Sequence, residues 1–158
     1  MTTKFNNVYV GNVATIASVY EKDGPLVDYF DLVYDKDLYY GCNTFEKAEE
    51  KLLHDSIKRL LSKSKLKDND IDYVISGDLQ NQIAASDYAM RDLKIPFLGI
   101  FNACATFGEG LLIGANFIEG KRANNIIVST SSHNMVAEKQ FRNPTEYGAP
   151  KPNTATFT

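Results

Sequence analysis

Cysteine and histidine are scarce in this 158-residue chain. Cys42 and Cys104 are its only cysteines, and His54 and His133 its only histidines. Two thiols without CxxC spacing do not make a disulfide framework, and they suit a reducing compartment. Joined by two histidines, they still fall short of a convincing zinc-ligand set. Long apolar runs are also missing. No stretch approaches the ~20 residues that a membrane span requires. The opening MTTKFNNVYVGN has no apolar core of the signal-peptide kind, so cytoplasmic synthesis without a signal peptide is expected. The Walker loop, GxGxxG, GxSxG and HExxH signatures are absent. There is no surplus of positive charge either. Lys and Arg total 17 against 20 Asp and Glu, a formal net charge of -3. That balance argues against nucleic-acid binding through a basic surface. The lysines between Lys58 and Lys67 read as the solvated face of one helix and its exit loop.

What is present is enough apolar residue, 44% of the chain, to build one core. Val8–Val19 is β-branched and apolar and reads as one long strand or two short ones. A KDGP turn signal follows, then an aromatic and acidic stretch with room for a helical turn around Asp28–Leu32. Asn43, with Glu46 three residues on, predicts a capped helix start. Phe45, Ala48, Leu52, Leu53, Ile57, Leu60 and Leu61 keep helical spacing out to about Ser64. Ile71–Gly77 reads as a strand and Ile83–Leu93 as a second helix. Phe97–Phe101 reads as a buried strand, and a third, glycine-rich helix runs on to Ile118. Asn125–Ser131 is a further strand. Strands alternating with helices predict an α/β domain, with a mostly parallel sheet covered by helices on both faces. From Ser132 the chain turns polar and proline-punctuated. Helical turns are expected over Val136–Phe141, a loop over Asn143–Asn153, and the start of a strand over Thr154–Thr158.

In an open α/β sheet, ligands sit beyond the carboxyl ends of the strands. Three strand ends carry informative residues there: Gly77 and Asp78, Asn102–Thr106, and Ser131–Asn134. Cys104 lies between a buried strand and the first turn of a helix. The free N–H groups and positive dipole end of a helix favour a thiolate. The plainer reading of Cys104 is a small buried thiol. His133 emerges on the same edge. It is either a pocket residue, as base or cation beside the thiol, or a histidine packed under its own loop. His54 reads as a surface residue. Beyond His133 the loop offers Lys139, Arg142, Glu146, Tyr147 and Lys151, in which a cation could pair with the carboxylates of an anionic ligand or with Glu146.

The segment around Asn102-Ala103-Cys104-Ala105-Thr106 resembles the thiolase-like superfamily, whose ketoacyl synthases place an active-site cysteine at such a junction. GPLVDYF, FEKAEEKLL, SGDLQNQI, IPFLGIFNAC, STSSHN, AEKQFRNPTEYG and KPNTAT narrow the resemblance to the stage V sporulation protein AD family. The resemblance implies a binding protein and not an enzyme, working without a cofactor. Its ligand would be dipicolinic acid (pyridine-2,6-dicarboxylate), with calcium as an accompanying ion, and its role the uptake of that acid into the developing bacterial spore. It also implies a peripheral place at the spore inner membrane beside other stage V sporulation membrane proteins, and a homodimer formed through the sheet edge. Cys104 matches the superfamily's nucleophile position. Asn102, Thr106, Ser132, His133 and Asn134 match segments lining its pocket, and Arg142 and Tyr147 complete the expected ligand-binding set. Thiolase-like chains have two similar halves, so residues 1–158 are expected to form the first half. The catalytic partners of the cysteine belong to the second, and His133 matches neither of them. A cysteine-dependent acyltransferase of ketoacyl-synthase type is the alternative. A third reading is a scaffold that docks on membrane partners through Tyr29, Phe30, Tyr34, Tyr39 and Tyr40.

Overall fold

The structure of the chain, a computed structural model, describes residues 2–137. Its longest element is helix α1, Phe45–Ser64. Thr44 caps it, with Oγ1 accepting the Lys47 N–H at 3.2 Å. The cap thus falls one residue later than the expected Asn43. Thr44 has the extended backbone a cap needs (φ −138, ψ 158), which aims its hydroxyl at the third helical amide. The helix stops where expected. Lys65 turns left-handed (φ 59), and its N–H closes on the Leu61 and Ser62 carbonyls.

Three parallel strands form the main sheet: β3 (Tyr73–Gly77), β4 (Phe97–Gly99) and β5 (Ile126–Thr130). Their order is β4-β3-β5, with Val74 opposite Phe97 and Ile127, and Ile75 opposite Leu98 and Val128. Alternate residues face opposite sides. Val74 and Ile127 therefore join Leu53, Ile57 and Leu61 of α1, and Ala89 and Met90 of α2 (Ala84–Met90), in one buried cluster. Each large aliphatic side chain removed from water there contributes about 1.5–3 kcal/mol. Ile75 and Val128 face the other way, onto α3 (Thr106–Glu119). A Cβ on Gly110 would lie 2.7 Å from Val128 Cγ1, so the missing side chain sets how closely α3 approaches the sheet. Helices cover both faces of a parallel sheet, as the alternation predicts.

The departures are local. Of Val8–Val19, only β1 (Ile16–Ala17) is a strand, paired in parallel with the short β2 (Leu32–Val33). Apolar character alone does not make a strand; a neighbouring backbone must complete the ladder. Tyr9 and Val10 stay exposed, and Val8–Ile16 and Ile126–Ser132 line one groove of 730 Å³. The second helix begins late because Gln82 and Ile83 are both left-handed (φ 59 and 51). Asp28 lies within a 3-10 turn, Val27–Tyr29. Of the five aromatics read as a docking patch, Tyr34 packs edge-on against Tyr40 at 4.7 Å, Tyr39 stacks on Phe45, and Tyr29 is exposed. A last helical turn, α4, spans Asn134–Ala137. Most of the helical turn expected over Val136–Phe141, and all of the expected loop and final strand, lie outside the described residues.

Candidate functional site

Because β3, β4 and β5 run parallel, their carboxyl ends share one edge. Thr130 Oγ1 donates to the Gly77 carbonyl at 3.0 Å, and the Ile100 N–H donates to the Ser76 carbonyl at 2.9 Å, which ties the three ends together. After β4 the chain makes a tight 3-10 turn, Ala103–Ala105, and then enters α3. Ala103 is left-handed (φ 44), a conformation that costs a residue with a Cβ about 1–3 kcal/mol. The turn is held by Thr106, whose Oγ1 accepts the Asn102 N–H at 3.0 Å. Thr106 is buried, whereas Asn102 and Cys104 are exposed. The thiol thus stands in solvent just ahead of a 14-residue helix, not in the core as the plainer reading has it.

Ser132, His133 and Asn134 leave β5 at the same edge. Ser132 is exposed and Asn134 half-buried at the start of α4, but His133 is only 3% exposed. Its Nε2 donates to the Leu38 carbonyl at 2.7 Å, and its Nδ1 accepts the Met135 N–H at 3.2 Å. The ring also packs on Phe45, centroid to centroid 5.3 Å. Both nitrogens are engaged within the chain, so the geometry favours the packing reading of His133 over that of a base beside Cys104. The strand order agrees. β3 lies between β4 and β5, so the two segments leave the sheet two strand spacings apart, about 10 Å. Arg142 and Tyr147, with Lys139, Glu146 and Lys151, lie outside the described residues. His54 is half-buried, not at the open surface, and contacts Asp55. Among the described residues, no three His, Cys, Asp or Glu are placed to hold a metal ion.

The same edge carries a polar cluster centred on a residue that sequence reasoning missed. Glu49 of α1 is 1% exposed. Its Oε1 accepts Ser131 Oγ at 3.0 Å and its Oε2 accepts Gln80 Nε2 at 3.2 Å. Asp78 is equally buried, and takes the Gln80 and Ser86 N–H groups at 2.8 and 2.7 Å. Burial pushes the Glu49 carboxyl up to about 7, helped by the charge of Asp78, while the Ser131 and Gln80 hydrogen bonds and the His133 backbone amide pull it down. A signal for Glu49 does exist in the sequence. Phe45, Glu49, Leu53, Ile57 and Leu61 form an unbroken i, i+4 line, and a carboxylate on an apolar line is a buried one.

The profile of the family "Stage V sporulation protein AD" matches residues 1–158. Stage V sporulation protein AD of Bacillus subtilis (strain 168) is 43% identical over 151 residues, covering 96% of this chain and 44% of the relative. The chain therefore spans less than half the length of that relative. Among solved structures, 3-oxoacyl-[acyl-carrier-protein] synthase III from Aquifex aeolicus VF5 is 17% identical with a TM-score of 0.43, over 58% of this chain and 30% of that one. The parallel α/β architecture, the exposed cysteine turn at its carboxyl edge and the match along the whole sequence lead to one assignment: this chain belongs to the stage V sporulation protein AD family.

Proposed function

We propose that this chain supplies part of a binding site for dipicolinic acid, on one half of a thiolase-like fold, and serves uptake of that acid into the developing spore. The family assignment supports the sporulation role. The observation that supports the site is that two segments leave the sheet at one edge, two strands apart: Asn102–Thr106 before α3, and Ser132–Asn134 after β5. A planar dianion needs N–H donors and a cation. The N-terminus of α3 offers the donors, and Arg142, with Tyr147 beside it in sequence, is the expected cation. Cys104 then lines the pocket, and Thr106 holds the turn. The protein acts as a binder without a cofactor. In this reading it works peripherally at the spore inner membrane with other stage V sporulation proteins; no helix among the described residues is long and apolar enough to cross a membrane itself. Among the described strands β4 lies at the edge of the sheet, which supports pairing with a second copy. Calorimetric titration with dipicolinate, with and without calcium, on this chain and on Cys104→Ala tests the reading. Saturable heat that weakens in the variant is expected. A folded, full-length member that gives no heat overturns it.

A second reading, acyl transfer through Cys104, is favoured by one observation: the thiol is exposed on a strained turn ahead of a helix. Rapid alkylation of Cys104 at neutral pH, well ahead of Cys42, supports it. A rate equal to that of a free model thiol removes its basis.

A further inference from the structure

Glu49 has no place in the ligand set above, yet it bonds α1 to the segments that follow the paired strands β3 and β5. It stands on α1. Gln80 follows β3, and Ser131 follows β5. All three meet at the Glu49 carboxyl through the two hydrogen bonds at 3.2 and 3.0 Å. Asp78 is tied into the same cluster through the Gln80 and Ser86 amides. The titratable neighbours are Asp78 from the β3 side and His133 from the β5 side, whose ring is already committed to Leu38 and Met135. Glu49 also belongs to the lining of the 730 Å³ groove, where Tyr9 is the other titratable residue. Among the hydrogen bonds and ion pairs of the described residues, no Lys or Arg reaches either carboxyl. Two buried carboxyls thus both bond Gln80, Glu49 through its side-chain amide and Asp78 through its backbone N–H, with no cation bonded to either among the described residues.

We propose that Glu49 is a proton-controlled clasp: neutral, it ties α1 to the segments following β3 and β5, and ionised, it releases them toward the groove. The physical reason is desolvation. A buried carboxylate beside a second one is disfavoured against the same group in water, and three donors do not offset that cost. Ionisation therefore favours any local opening that lets water reach Glu49, and the groove provides the way in. The raised titration point fits this geometry and places the release near neutral pH. The segments released, Gln80–Ile83 and Ser131–His133, include the two left-handed residues Gln82 and Ile83, whose strain an opening relieves. Proton control of ligand binding would follow for Ser132–Asn134, and that consequence alone rests on the binding reading given above.

Hydrogen exchange on the 158-residue chain tests the clasp without any ligand. Exchange rates divided by their intrinsic values at each pH give protection factors. Peptides covering residues 78–83 and 131–135 are expected to lose at least tenfold protection between pH 5.5 and 8.5, while 73–77 in β3 keeps its own. Glu49→Gln is expected to hold the same peptides at constant protection across that range. Protection in the unaltered chain that does not change with pH overturns the proposal, as does an equal loss in Glu49→Gln. Should Glu49→Gln not fold, Ser131→Ala gives a second reading. It removes one donor to the ionised carboxyl and moves the midpoint of the loss to higher pH, and an unmoved midpoint overturns the assignment.

Discussion

Gly77 and Ile100 touch: a Cβ on Gly77 would lie 1.9 Å from the Ile100 carbonyl oxygen, and 2.8 Å from Thr106 Cγ2. The end of β3 is thus pressed against the chain as it leaves β4 for the cysteine turn. Both obstacles belong to held groups, because Ile100 is bonded back to Ser76 and Thr106 accepts Asn102. Gly77→Ala must displace the cysteine turn or strain β3. Overpacking of this kind costs about 1–3 kcal/mol. Denaturant unfolding is expected to show that loss, and alkylation of Cys104 to change its rate. Unchanged values for both would mean that the turn yields freely.

Stability against pH follows from Glu49. Its titration point is raised in the folded chain, to about 7 from 4.5. Such a group adds stability that is fully present below its unfolded value and is lost as pH rises through the folded one. The chain is expected to lose on the order of 3 kcal/mol from this source between pH 4.5 and 7.5. Glu49→Gln removes that slope. Thermal or urea unfolding of the pair over this range checks it, and parallel curves would refute the burial argument.

Asp72 acts with the opposite sign. The Asn124 and Asn125 amides donate to its Oδ2 at 2.7 and 3.0 Å and hold the carboxyl below its usual range. Its contribution is present above the unfolded titration point and is lost as pH falls through the folded one. Asp72→Asn should lower stability at neutral pH, where the contribution is present, and flatten the acid limb of the profile. Acid titration followed by circular dichroism reads both limbs.

Leu53 lies under the sheet at 1% exposure, within the cluster that joins α1 to Val74 and Ile127. Leu53→Ala is expected to cost about 2–5 kcal/mol, the range for a truncated core leucine that leaves a cavity. A loss below 1 kcal/mol in urea unfolding would show that α1 is not seated as described.

Helix α3 leaves Phe107, Leu111 and Leu112 about half exposed, the first two in the lining of the 730 Å³ groove, with Phe101 nearby in sequence. Apolar surface of this kind marks a contact for another chain or segment. The 158-residue chain alone is expected to self-associate, and light scattering should show species above the monomer mass. Leu112→Lys should reduce them. A monodisperse monomer that melts cooperatively would count against an uncovered face.

Periodicity and punctuation were enough to place α1, α3, β3, β4 and β5, because each carries its own signal: a helical stripe, a glycine-interrupted apolar face, or a short apolar run between turns. The cysteine junction was legible for the same reason, as a strand end followed by small residues and a helix, but the exposure of Cys104 was not. The cap was misplaced by one residue, since Asn43 and Thr44 both suit it and only the backbone angles decide between them.

What the sequence determined by itself, then, is the α/β class, the order of its elements and the family, all of which rest on local patterns and matched residues. Tertiary structure decided the rest. Val8–Thr15 is not a strand, because a strand needs a neighbouring backbone to complete its ladder, and among the described residues that pairing begins only at Ile16. His133 is committed to Leu38 and Met135, because the loop before α1 folds over it. Glu49 is a buried acid on an apolar line, and its chemistry depends on Gln80 and Ser131, residues 31 and 82 positions away. Burial and charge at one point are sums over neighbours brought together from distant parts of the chain, and no local window of sequence contains them.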